Sequence, residues 1–283
     1  MRIVAQGLDH PECVAIGPDG RLYAGGEAGQ IYRIETASGK VEQIGSTGGF
    51  ILGIALDARG NVYACDTELR GVVIVTPNGS VETVTLGTNE RPMVTPNYPV
   101  FDDHGRLYVS DSGTWPHGGG CIYRVDPESG TAVWSDTTPQ FTNGLALSAD
   151  GRYLYVAEST LPGVTRIEIL DDGAPGKTEL VTLMPGTVPD GLAFDLDGRL
   201  YIACYRPDRI YTLEPDGRLL IFADDFQGTE LAAPTNVAFG GPDMDHLFVG
   251  SLARWHIGAL AARAPGLRLH YPETVLPLTK DST

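Results

Sequence analysis

Ala193-Phe-Asp-Leu-Asp-Gly-Arg-Leu-Tyr201 decides the fold, because the chain repeats it. An apolar pair enters an Asp/Gly turn, and a second apolar run leaves it and ends on an aromatic. That is the pattern of a β-hairpin whose turn glycine accepts positive φ. The phrase also stands at Ala15–Tyr23, Ala55–Tyr63, Val100–Tyr108 and Ala146–Tyr155, with a longer variant at Ala238–Phe248. Its turn glycines Gly20, Gly60, Gly105, Gly151 and Gly198 lie 40, 45, 46 and 47 residues apart. A second strand pair follows each hairpin, as in Gly29–Ile34 and Val41–Ile44, with later copies opening at Cys121–Val125 and Arg209–Leu213. About four strands in such a period is a propeller blade, not a helical solenoid.

The expectation is therefore an all-β chain, a six-bladed β-propeller with four antiparallel strands per blade, forming a single domain over residues 1–283. A circular array must close. Met1–Ala5 is expected as an outer strand of the sixth blade, alongside His256–Leu260 and Leu267–His270. The last ten residues are expected to fray.

Residues at one repeat position of a propeller form a ring around the channel. Three residues before each phrase stand Glu12, Leu52, Asn97, Asn143, Asp190 and Thr235. Four of these are Glu, Asn, Asn and Asp, an unsuitable set for interior strands. Two carboxylates and two amide carbonyls provide oxygen ligands and a charge that offsets one divalent ion. All-oxygen ligation suits Ca²⁺ first, then Mg²⁺ or Mn²⁺, with Zn²⁺ or Fe²⁺ as alternatives. The competing reading is that these groups cap strand ends.

A second ring, three residues after each aromatic, reads Gly26, Asp66, Asp111, Glu158, Cys204 and Ser251. Its carboxylates either orient the first ring or bond within their own blades. The segment Ser112–Gly120, rich in glycine, is read as a loop that is either a lid carrying Trp115 and His117 or a solvated hairpin tip. Tyr205 and Arg206 leave blade five on the same face. Asp111, Trp115 and Tyr205 are candidate substrate contacts.

Composition narrows the function. Twenty Lys and Arg against 36 Asp and Glu leave a net charge of −16, and no basic run offers a polyanion a landing place. Nucleic-acid binding is not expected. Four widely spaced cysteines, Cys13, Cys65, Cys121 and Cys204, make neither a disulfide framework nor a zinc ribbon, and are read as reduced and mostly buried. With no apolar leader and no run approaching a membrane span, the expectation is a cytoplasmic protein, monomeric or weakly homo-oligomeric, acting on a small molecule. No GxSxG elbow, HExxH motif or Rossmann fingerprint occurs.

Thr142-Asn-Gly-Leu145, Val188-Pro-Asp-Gly-Leu192 with Ile202-Ala-Cys-Tyr205, and Val237-Ala-Phe-Gly-Gly-Pro-Asp243 resemble segments of the SMP-30/gluconolactonase family of six-bladed propeller lactonases. The resemblance covers nearly the whole chain. It implies that Glu12, Asn143 and Asp190 ligate one divalent metal, that Asn97 contacts substrate or completes the coordination, and that Asp190 is the general base. The sequence departs from that family too. Pro11-Glu12 runs into Cys13-Val-Ala-Ile16, Asn97 is followed by Tyr98 where an aspartate is common, and Thr95 stands where some sugar lactonases have arginine. First-blade phrasing is also similar to strictosidine-synthase-like propellers. The expected function is metal-dependent opening of a small lactone. Alternatives are phosphotriester hydrolysis or a biosynthetic tailoring step at the same ion, and a non-catalytic metal-binding propeller.

Overall fold

The computed structural model describes residues 1–276 and 278. These residues form 24 strands and no helix, in six four-stranded antiparallel sheets. Five sheets begin at the channel with Ala15–Ile16, Ile51–Leu56, Pro96–Phe101, Thr142–Leu147 and Val188–Phe194, each followed outward by the next three strands. The sixth runs Pro234–Gly240, His246–Ser251, His256–Ala261 and then Arg2–Gln6. The first strand of the chain thus completes the last blade, with Arg2 opposite Ala259 and Gln6 opposite His256. Inner strands touch in chain order and blade six meets blade one, so the ring is closed.

The repeated phrase folds identically where its first polar residue is aspartate. Gly60 N–H donates to the Asp57 carbonyl, Gly105 to Asp102 and Gly198 to Asp195, and these glycines have φ of 78°, 76° and 81°. Each aspartate also accepts the amide two residues on, with distances of 3.0, 2.9 and 3.0 Å from Arg59, His104 and Asp197. The phrase-ending aromatics cross to the next blade. Tyr63 meets Phe101, Tyr155 meets Phe194 and Tyr201 meets Phe239, all edge-on with centroids 4.9–5.1 Å apart. Six apolar clusters fill the six gaps between adjacent blades.

Two expectations need correction at the C-terminus. Leu267–His270 adds no strand to blade six; one outer strand already satisfies its edge. Residues 265–276 instead run over the turn end of the channel. Leu196 N–H donates to Pro265 and Leu267 N–H to Phe194, the Tyr271 hydroxyl reaches Ile16 O at 2.8 Å, and Ala58 N–H reaches Pro272 O at 3.0 Å. Leu276 is buried beside Tyr63 and Phe101, so this part of the last ten residues is packed; residues 277 and 279–283 lie outside the described residues. All four cysteines are free and buried, as expected. Among the described residues no helix is long and apolar enough to cross a membrane.

Candidate metal centre

The ring residues occupy interruptions in the inner strands. Ladder pairing skips from Ile51 to Ile54, Pro96 to Pro99, Thr142 to Leu145, Pro189 to Leu192 and Pro234 to Asn236. Such a bulge releases residues from the ladder and re-aims them. It also accommodates Pro96, Pro189 and Pro234, which lack the N–H a ladder needs. Asn97, Asn143 and Asp190 are therefore held by backbone irregularities that recur at one blade height, and all three are buried.

Glu12, Asn143 and Asp190 interact. Burial pushes the Asp190 carboxyl well above its ordinary range, the Glu12 charge pushes it further, and a hydrogen bond from Asn143 opposes both. Burial alone raises the Glu12 carboxyl. Among the described residues no Lys or Arg contributes to either group. Glu12 Oε2 and Asn143 Oδ1 are buried with no hydrogen-bond partner. Buried polar atoms are almost always paired, so two bare oxygens beside two uncompensated carboxyls mark a place for a cation. Burial pushes the neighbouring Cys13 thiol up to about 12, which leaves oxygen as the donor type on offer. Those groups fit a hard divalent ion.

A relay the sequence reading missed fixes the two asparagines. Asn97 Nδ2 donates to Ser112 Oγ at 3.0 Å, and that hydroxyl donates to Thr142 O of the next blade at 2.7 Å. Asn143 Nδ2 donates to Ser159 Oγ at 3.1 Å, which donates to Pro189 O at 2.7 Å. Each amide oxygen is thereby turned away from its own Nδ2 partner, and each blade is tied to its successor. The signal was a serine directly after the acidic residue of the second ring, in Asp111-Ser112 and Glu158-Ser159. Thr235, counted as the sixth ring member, spends its hydroxyl on Glu12 O at 2.6 Å. The bulge of blade six is one residue shorter, and Asn236 carries the unpartnered buried Oδ1 there.

The second ring serves its own blades. Asp111 accepts amides from Val94 at 2.6 Å, Thr95 at 3.1 Å and Gly113 at 2.8 Å, which commits both carboxylate oxygens to the loop ahead of Asn97. Asp66 caps the turn at Glu68 and Leu69, and Glu158 accepts from Gln140 N–H and Thr165. The segment expected as a loop at Ser112–Gly120 continues both strands, pairing Gly113 with Gly119 and Thr114 with Gly118. Trp115 stands at its tip, 55% exposed, edge-on to Phe141. Tyr205 is half-buried beneath the Arg206 guanidinium, 4.4 Å from it. Neither aromatic is brought into contact with the ring residues by any interaction described.

The chain as a whole is similar to known proteins. The family described as the SMP-30/Gluconolactonase/LRE-like region matches residues 19–253, and the strictosidine synthase-like N-terminal family matches residues 1–34. A 6-deoxy-6-sulfogluconolactonase of Pseudomonas putida is 29% identical, covering 79% of this chain and 76% of that protein. Lactonase drp35 of Staphylococcus haemolyticus is 27% identical over 67% of this chain and 61% of its own length. Among solved structures, a gluconolactonase from Xanthomonas campestris superposes with a TM-score of 0.76 at 20% identity, over 91% of this chain and 89% of that one. Regucalcin of Agrobacterium tumefaciens, a calcium-binding protein, gives 0.79 at 18% identity over 97% of both chains. These likenesses show the propeller fold, and the match over residues 19–253 shows that the chain belongs to the SMP-30/gluconolactonase/LRE-like family.

Proposed function

We propose that this protein is a divalent-cation-dependent lactonase that hydrolyses a small cyclic ester. The observation that carries the reading is the pair Glu12 and Asp190, both raised by burial and neither compensated by a basic side chain. Glu12, Asn143 and Asp190 would hold the ion, with Asn97 completing its shell or contacting substrate. Ca²⁺ is the first choice for this oxygen set. When bound, the ion offsets the two carboxylate charges and acts as a Lewis acid toward an ester carbonyl.

Asp190 is the group assigned to proton transfer. As a carboxylate it takes a proton from the attacking water while the water oxygen bonds to the carbonyl carbon. The ring C–O bond then breaks, and the departing alkoxide takes that proton from Asp190, giving a hydroxy acid and restoring the carboxylate. Asn97, fixed through Ser112, presents its amide to the bound molecule. The named activities of the Pseudomonas putida and Staphylococcus haemolyticus relatives support lactone opening. Free buried cysteines support a reducing, cytoplasmic setting, and we place the protein there as a monomer or weak homo-oligomer.

The test is turnover of aldonolactones and simple lactones by chelator-treated protein, before and after Ca²⁺ is restored. Loss on chelation and recovery on addition is expected. Full activity in metal-free protein overturns the mechanism, and a protein inert toward every lactone overturns the function.

A further inference from the structure

Blades three and six face each other across the channel, because the blades follow one another around the axis. Tyr98 lies in the bulge of blade three, one residue after Asn97, and its phenol lies against the Asn236 side chain of blade six. The two side chains thus form a bar across the channel. Asn236 is 3% exposed and its Oδ1 has no partner. A bare buried acceptor is costly, so something polar is needed to complete it.

The pair has both donor and acceptor capacity to spare. If one Asn236 N–H faces the phenol oxygen, the amide oxygen and the phenolic O–H remain. With the amide turned over to accept from the phenol, the amide N–H groups and a phenol lone pair remain. A hydroxyl matches either arrangement, since it donates once and accepts as well; an ether oxygen only accepts, and a methylene does neither. Beyond the bar the inner strands line an apolar cavity of about 70 Å³ with residues such as Ile54, Val100, Leu145, Leu192 and Val237. Tyr98 is the one polar side chain those strands give that cavity. The other polar side chains lining it, Arg268, His270 and Tyr271, come from the C-terminal strap at the turn face.

We infer that Tyr98 and Asn236 form a specificity-determining subsite that reads a hydroxyl substituent on the lactone, a role that rests on the lactonase reading above. Sites built to bond a substrate hydroxyl reject the analogue lacking it far more strongly than apolar pockets reject a methylene.

The experiment compares kcat/KM for a polyhydroxylated δ-lactone and the same ring without hydroxyls, in wild type, Tyr98→Phe and Asn236→Leu. The Ca²⁺-loaded protein is expected to favour the hydroxylated ring by at least a hundredfold, and either substitution is expected to cut that ratio tenfold or more, mainly through KM. A ratio unchanged in both variants overturns the subsite, as does a wild type without preference. Urea transitions identify a variant that fails to fold, in which case the other decides. If wild type opens neither lactone, the lactonase reading has failed. Calorimetric titration with the hydroxylated lactam then judges the subsite alone: weaker binding by the variants supports it, and equal or absent wild-type binding overturns it.

Discussion

Gly144 of blade four packs directly on the backbone of Asp190 in blade five. A methyl group at 144 would stand 2.3 Å from the Asp190 carbonyl oxygen and 2.8 Å from the Gly191 Cα. Backbone sits at both points, so no side chain can rotate aside. The absence of a Cβ is what lets neighbouring bulges approach and lets Asn143 hydrogen-bond Asp190. Gly144→Ala is expected to cost about 1–3 kcal/mol in urea unfolding, as overpacking does. Turnover should fall at least tenfold in the protein that still folds. Activity and stability both at wild-type levels would show that the two bulges are not in this contact.

The raised carboxyls make the metal-free protein sensitive to alkali. Glu12 and Asp190 bind protons more tightly folded than unfolded. Their contribution to stability is complete below the ordinary carboxylate range near pH 4 and is lost as pH rises through the raised folded values. Melting temperature in chelator should therefore decline from pH 5 to pH 8. Saturating Ca²⁺ favours the ionised pair and should flatten or reverse that slope. Glu12→Gln removes one of the two ionisations and should make the chelated protein less pH-sensitive. A flat profile in chelator would show the carboxyls to be compensated by something else.

Ser159 tests whether the relay serves the ion. Its hydroxyl accepts from Asn143 and donates to Pro189 O, next to Asp190, so one atom positions two candidate ligands. Partners of metal ligands typically contribute 10–100-fold in affinity. Ser159→Ala should weaken Ca²⁺ binding by that order in calorimetric titration, with a smaller loss of turnover at saturating ion. Ser159→Thr, which keeps the hydroxyl, should restore affinity. Undiminished affinity in the alanine variant would reduce the relay to a structural tie between blades.

The fold was legible because each blade repeats its own turn. Asp57, Asp102 and Asp195 use one carboxylate and one glycine for the same job, and such local chemistry survives in a single sequence. The ring positions were legible for a related reason: Glu12, Asn97, Asn143 and Asp190 all stand eight residues before a turn glycine. Asn236 was not, because its blade has a longer turn and a shorter bulge, so counting landed on Thr235. Ser112 and Ser159 were missed because serine is unremarkable at a strand end until its partners are known, and those partners are backbone carbonyls one blade away. Asp111 was left between two readings for the same reason, since nothing in a sequence shows that both of its oxygens accept amides. The pairing of Tyr98 with Asn236 joins positions 138 residues apart in opposite blades, where no repeat could have announced it.

The C-terminal strap gives the last prediction, and it concerns stability rather than chemistry. Ile16 and Phe194 end their inner strands at the turn face, whereas Glu12 and Asp190 lie at the opposite end, so the strap closes the channel away from the ring. Leu276 is 2% exposed within the cluster that holds Tyr63 and Phe101, and the Tyr271 hydroxyl donates to Ile16 O. Leu276→Ala should cost about 2–5 kcal/mol, the range for a buried leucine. Tyr271→Phe should cost about 1 kcal/mol, the worth of one hydrogen bond. Because both lie at the turn face, away from Glu12 and Asp190, the cation affinity of each folded variant should match wild type. Thermal melts that move while Ca²⁺ titrations do not would separate the clasp from the centre. A Leu276→Ala protein that melts like wild type would mean that the circle is held by the Arg2–Gln6 strand alone.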